Sequence, residues 1–379
     1  MAEDVMRVAE APADDPQVAR RLSRALGDGP FALVVIFVSP QAADRAELVA
    51  LLAAELAPAP VIGCTTAGEI GAEGYAEGLV VAAAFPARHF AAETLVLPDL
   101  GALDPQAMIG DLIRARGTLA RAHPEWEHEF VYLLVDGLST KEDELASLLA
   151  PGLGATPLFG GSAADGTRFL ETCVFHGGRA LRNAAVVTIL RTDCPVKVFK
   201  FDHFRPTETR MVVTRADPAR RTVQAINAEP AAREYARLLG KDPAQLTPFT
   251  FAAHPVVVRV GGRHHVRSIR QVDENGDLIF YSAIDEGLVL TLAESLDMTE
   301  HLAEALAGLA RVEPPRAILA CDCVLRRMEA QEKQLSGRIS ALFREHGVTG
   351  FSTYGEQLNA MHVNQTLTGV AIYAPGPRP

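Results

Sequence analysis

Residues 61–70 read VIGCTTAGEI, an apolar run that opens into glycine, small hydroxyl residues, a second glycine and then Glu69. The apolar residues predict a buried strand, and the glycine-rich continuation predicts a loop that lets backbone donors approach a bound molecule. A phosphate-binding P-loop carries lysine after its last glycine, where this chain has Glu69, so the charge is wrong for a phosphate. A carboxylate at that place either receives an ammonium or hydroxyl group of a ligand or caps the amides of its own turn.

The pattern returns at 350–356 as GFSTYGE, which shares G-x-[ST]-T-x-G-E with residues 63–69. Each occurrence lies in a longer unit. In the first, FALVVIFVSP (31–40) reads as a strand and AADRAELVALLAAEL (42–56) as a helix, with PVIGCTT (60–66) and EGLVVAAAF (77–85) as further strands. The order strand, helix, strand, loop, strand repeats from residue 128 in HEFVYLLVDGL, TKEDELASLLAPGLG, TPLFGG, SAADG and NAAVVTIL. Near the C-terminus PRAILACDCV predicts a strand, residues 325–346 predict one helix with Met328, Leu335, Ile339 and Leu342 on one face, and TLTGVAIYA predicts a last strand. We read an internal duplication.

Between these units the texture changes. CPVKVFKFDHF, MVVTRAD, RTVQAIN, HPVVVRV and HVRSIRQVDENGDLIFYSA alternate β-branched residues with turn signals, which predicts antiparallel strands. LDMTEHLAEALAGLA predicts a helix with Asp297 at its N-cap and Glu300 placed for a capping box. The expected organisation is an N-terminal tail and short helix over 1–28, one domain over 29–215 and another over 220–375, with the boundary near 205–225. The expected fold class is α/β, built of repeated strand-helix-strand-loop-strand units with layered mixed sheets.

Composition narrows function. The chain has 379 residues, 48% of them hydrophobic, and suits two domains or one large composite. A formal net charge of −11 disfavours nucleic acid and anionic membrane surfaces as partners. The acidic N-terminus does not read as a signal peptide, and no apolar run reaches the length of a membrane span. Five cysteines at scattered spacing make no disulfide framework, and a reducing cytoplasm is the expected location.

VIGCTTAGEI, PLFGGSAADG, GFSTYGE and HVNQTLTGVAIY resemble the FIST sensory proteins across about residues 29–375, as an N-terminal and a C-terminal FIST half. That resemblance implies ligand sensing in signal transduction, often of small metabolites such as amino acids. HPVVVRVGG, YSAIDEGLVLTLAE, LACDCVLRRMEAQE and GFSTYGEQLNAMHVNQT are more narrowly similar to the nitric-oxide-sensing NosP class. It implies haem b, nitric oxide as ligand, and a separate histidine kinase or cyclic-di-GMP enzyme as the regulated partner. A homo-oligomer is left open.

Haem requires an axial ligand, and among the eleven histidines His254, restrained by Pro255, and His362, just after the second glycine loop, are the candidates. Arg326 and Arg327 could pair a propionate or a ligand carboxylate. The ligand contacts expected of the two loops are Gly63, Thr65, Thr66, Gly68 and Glu69 in one, and Ser352, Thr353, Gly355, Glu356 and the following Asn364 in the other. Of the adjacent His264 and His265, strand alternation lets at most one point inward. Cys194-Pro195 is a two-residue signal, and Cys321 with Cys323 lacks the further ligands of a structural zinc site. Asp136 and Ser139 in DGLST are not a nucleophile elbow and read as a helix entry. Two other functions compete with a haem sensor: a cofactor-free metabolite sensor, and an enzyme built on the GCTTAGE loop.

Overall fold

The computed structural model of the chain describes residues 4–260 and 262–376. Three of its four sheets have one and the same internal plan. In the first sheet the strands run in the order Arg7–Pro12, Leu79–Pro86, Phe31–Val38, Val61–Thr65, Val174–His176, Arg179–Leu181. The second has Phe90–Leu97, Ala185–Thr192, His128–Val135, Leu158–Ser162, Glu356–Leu358, Met361–Val363. The third has Val196–Phe201, Leu367–Ile372, Ala317–Cys323, Val348–Thr353, Glu69–Gly71, Gly74–Ala76. Each contains a single parallel pair, joined by a helical crossover, and all its other pairings are antiparallel.

The repeat is therefore threefold, and its parts are exchanged. The hairpin that begins at Glu69 leaves the first unit and extends the third sheet, where Phe351 pairs with Glu69. The hairpin that begins at Val174 extends the first sheet, and the hairpin that begins at Glu356 extends the second. The opposite edges are exchanged too: Phe90–Leu97 follows the first unit but pairs in the second sheet, and Val196–Phe201 follows the second but pairs in the third. Residues 7–12, read from sequence as part of a tail, are the strand that completes the first sheet against Leu79–Pro86. A strand so placed closes the ring of exchanges, which sequence periodicity could not reveal because its partner lies 70 residues away.

Helices cover the outer faces, while the inner faces of all three sheets meet in one apolar core. Phe37 of the first sheet stacks on Phe351 of the third at 4.7 Å, and Tyr132 of the second packs at 4.8 Å on Phe159. Cys64 and Cys321 are buried in the same core, and Cys173, Cys194 and Cys323 are buried as well.

The segment predicted as a single helix over 325–346 is two helices, Val324–Glu332 and Ser336–Glu345. Gln334 takes a left-handed conformation at φ 55°, and Leu335 N–H returns to Ala330 O at 2.7 Å, which ends the first helix. Asp297 caps the helix Met298–Leu309 by accepting from the Thr299 and Glu300 amides.

Residues 204–295 form the fourth sheet, inserted between the second and third units. The stretch 205–225, where a boundary was expected, runs from its strand Phe204–Asp217 into the paired strand Thr222–Ile226, and hairpin exchange brings strands of 29–215 and of 220–375 into shared sheets. As alternation requires, His265 is buried and His264 is exposed.

Candidate functional site

The glycine loops form the centre of the threefold body. Gly63, Gly160 and Gly350 occupy equivalent positions, each facing the parallel neighbour strand at Ile36, Leu133 or Ala320. A Cβ at these glycines would lie 2.0, 2.2 and 1.8 Å from the neighbour's carbonyl oxygen. Two residues on, Thr65, Ser162 and Ser352 interlock the three units: their amides donate to Cys173, Gly355 and Gly68, and their carbonyls accept from Ala164, Tyr354 and Ala67. The motif thus builds a cyclic clasp of backbone hydrogen bonds.

Glu69 and Glu356 complete it. Both are fully buried. Glu69 accepts from the Thr66 hydroxyl and from Leu79 N–H at 3.1 Å; Glu356 accepts from the Thr353 hydroxyl and from the Thr366 amide and hydroxyl at 3.2 and 2.7 Å. Each glutamate thus ties the start of its hairpin to the start of the unit's last strand. Burial pushes their carboxyls up to about 7 for Glu69 and about 8 for Glu356, against these donors. Gly68, at φ 116°, leaves room for the Arg327 guanidinium, 2.3 Å from where its Cβ would stand, and Gly355 does the same for the His362 ring.

The haem candidates are placed as follows. His362 is buried, with Nδ1 3.1 Å from Gln357 Nε2 and Nε2 3.4 Å from Asn364 Nδ2, and it borders a void of about 100 Å³ shared with Asp143, His265 and Arg267. Burial holds its imidazole down to about 4, despite the pull of Asp143. His254 ends the helix Pro248–Ala253, half-buried, in the field of Lys241, Lys333, Glu329 and Glu332, and its basicity is lowered chiefly by burial. Arg326 is fully buried between Asp322, at 2.7 Å, and His203 Nδ1, at 2.8 Å. These residues do not fit a porphyrin. Ligands of that size occupy pockets toward the top of the ~300–1,000 Å³ range, the ring nitrogens of His362 already face amides, the neighbours of His254 are charged, and Arg326 is committed to its ion pair.

Two cavities open at the carboxyl ends of the parallel strands, where open α/β sheets bind ligands. The first, about 200 Å³, lies beyond Phe31–Val38 and is bordered by Ser39, Ala67, Gly68, Gly166 and Arg327. Arg327 is fully engaged there: it donates to Ala76 O at 2.8 Å, to Glu69 O and Glu77 at 3.3 Å and to Ser352 Oγ at 3.4 Å, and it lies over the Tyr75 ring.

The second cavity, about 290 Å³, lies beyond His128–Val135 and is bordered by Gly137, Phe169, Arg220, Arg270, Tyr281 and Tyr354 among others. Its walls come from the second unit, the inserted sheet and the third unit's clasp. Phe169 stacks on Tyr354 at 4.5 Å and meets Tyr281 at 5.9 Å, making an aromatic wall. Arg270 projects over Phe169 at 5.5 Å, yet its buried Nε has no hydrogen-bond partner among the described residues. An unpaired buried guanidinium donor is costly and calls for an anionic partner. Among the described residues no acid borders the cavity. Arg221, at its edge, is engaged instead in a latch: it donates to Glu142 at 2.6 Å, to Asp143 at 3.3 Å and to Tyr281 O, and Asp143 also pairs with Arg267 at 3.4 Å. That buried network fastens the inserted sheet to the second unit's helix Glu142–Leu153.

Sequence reasoning did not single out Arg270, Phe169 or Tyr281. Tyr354 stood inside the quoted GFSTYGE, but its neighbours come from chain segments 70 to 190 residues distant.

The FIST N domain family matches residues 32–229 and the FIST C domain family residues 231–359. The chain belongs to the FIST family, whose domains serve ligand sensing and signal transduction. The junction between the two matches falls inside the inserted sheet, beside Glu229–Pro230. No curated protein matches the chain. No helix among the described residues is long and apolar enough to cross a membrane.

Proposed function

We propose that this chain senses a small carboxylate-bearing metabolite, amino acids included, bound in the cavity beside Arg270 without a cofactor. The observation that carries this reading is the buried Arg270 Nε, without a hydrogen-bond partner among the described residues, in a cavity of about 290 Å³ that no described acid borders. A guanidinium fork matches a carboxylate, and Phe169, Tyr281 and Tyr354 offer faces to an apolar or planar body. The ligand would touch the inserted sheet and both adjoining units at once, so occupancy shifts the inserted sheet between positions that differ in those contacts. The output then passes to a separate signalling protein, for which the NosP resemblance supplies a histidine kinase or cyclic-di-GMP enzyme. Haem-based nitric oxide sensing gains no support from the surroundings of His254 and His362.

The test is calorimetric titration of wild type and Arg270→Ala with a panel of aliphatic and aromatic carboxylates, amino acids among them. The expected result is saturable one-to-one binding to wild type that Arg270→Ala weakens at least tenfold, about 1.4 kcal/mol or more. Equal affinity in the two proteins, or no binding across the panel, overturns the reading.

A further inference from the structure

At the end of the sheets away from both cavities, the chain crosses twice between sheets: from the first to the second through residues 86–90, and from the second to the third through 192–196. Phe90 pairs with Thr192 in register, which sets His89 and Asp193 side by side one residue beyond the ladder, with Cys194 next. His89 Nδ1 lies 2.9 and 3.2 Å from the two Asp193 carboxylate oxygens, and Cys194 Sγ lies 3.5 Å from Asp193 Oδ1. One ligand atom from each of the three residues falls within 4.8 Å of the others. His89 and Cys194 are fully buried, while the Asp193 side chain is 17% exposed.

We propose that His89, Asp193 and Cys194 bind a divalent transition metal of the zinc class. Zinc takes nitrogen, oxygen and thiolate ligands at ~2.0–2.3 Å in a tetrahedron, so its ligand atoms stand ~3.3–3.8 Å apart. The His89–Asp193 and Asp193–Cys194 spacings stand within a few tenths of an ångström of that geometry, and closing the set, whose atoms lie within 4.8 Å of one another, takes rotation of the buried side chains. The donor set selects against magnesium and calcium, which require oxygen shells. Thiolate, carboxylate and neutral imidazole together cancel a divalent charge, which is what burial demands. Binding releases the Cys194 thiol proton and leaves the imidazole coordinated through Nδ1 with its remaining proton on Nε2. Three protein ligands leave the fourth position of the tetrahedron to a further donor, and Asp193 is the ligand most open to solvent. Because the ligands sit on both crossovers, the ion staples the junction of the three sheets, and the site is independent of the ligand cavity at Arg270.

The full chain, stripped with a chelator, is titrated with cobalt(II) as a spectroscopic substitute and with zinc in a thermal melt. One equivalent of cobalt is expected to produce a near-ultraviolet thiolate-to-cobalt charge-transfer band, and zinc is expected to raise the melting temperature. Cys194→Ser removes the band. Asp193→Asn, at the most accessible ligand, folds as wild type by circular dichroism and binds at least tenfold more weakly. Absence of the band at one equivalent, its persistence in Cys194→Ser, or unchanged affinity in Asp193→Asn overturns the proposal; should Cys194→Ser not fold, Asp193→Asn decides alone.

Discussion

The cavities beyond the first and second units stand at equivalent ends of the sheets, yet their arginines differ. Arg327 in the first cavity spends its donors on two carbonyls, a serine and a glutamate of the protein itself. Arg270 in the second leaves its buried Nε without a hydrogen-bond partner among the described residues. The first is wired into the clasp beside the signature motif, so its donors are already occupied. The second sits on an inserted sheet, where we propose that it meets a ligand carboxylate. A recurring glycine motif marks the place where three units lock together, and the proposed binding chemistry lies one cavity away.

The largest expected effect tests the clasp. Gly350→Ala puts a methyl group 1.8 Å from the Ala320 carbonyl oxygen, and it should cost more than about 4 kcal/mol or abolish soluble folding. A melting temperature within a few degrees of wild type would show that the strands can part and that the comparison overstates their closeness.

Next comes the latch between the inserted sheet and the second unit. Arg221→Ala leaves Glu142 buried without its partner, a change expected to cost ~3–5 kcal/mol. Limited proteolysis should then cut first near residues 202–203 and 296–297, where the chain enters and leaves the inserted segment. A uniform loss of protection over the whole chain would mean that the inserted sheet has no separable position to shift.

The clasp glutamates give a smaller effect confined to a pH window. Because the folded-state carboxyls of Glu69 and Glu356 stand above the ordinary 4.5, at about 7 and about 8, the folded form holds protons that the unfolded chain has released. Their contribution to stability is complete below pH 4.5 and is lost as the pH rises through 7 to 8. His362 works in the opposite sense, adding stability as the pH climbs from about 4 toward 6.5. Glu356→Gln, which carries no titrating proton, should flatten the decline between pH 6.5 and 8.5 by an amount on the order of 1–2 kcal/mol. Denaturant melts across that range measure it, and an unaltered slope would move the titration elsewhere.

The smallest expected effect is none at all. Titrated with haemin, wild type and His254→Ala should give the same spectra, with no saturable one-to-one Soret change in either. A sharp stoichiometric band in wild type that His254→Ala removes would restore the haem sensor and demote the Arg270 cavity.

Several local features were legible in the chain. The strands of the repeated units follow from their apolar runs, the helix at Met298–Leu309 from Asp297, and the equivalence of 63–69 with 350–356 from shared residues. What the glycines do was not legible, since a glycine that admits a neighbouring carbonyl and one that admits a ligand look alike. Nor was the break at Gln334, whose left-handed backbone sits in a sequence of good helix formers.

The sequence alone determined that this is a repeated α/β chain of the FIST kind, because periodicity, capping and motif identity are local properties written within one unit. The tertiary structure alone decided that each hairpin serves another unit's sheet, that Glu69 and Glu356 face backbone and hydroxyl donors, and that Arg270 meets Phe169 and Tyr354. Those outcomes depend on which distant segments close the ring. Exchange pairs strands by shape and register across hundreds of residues, and the buried Arg270 Nε stands without a hydrogen-bond partner among the described residues only through the packing around it.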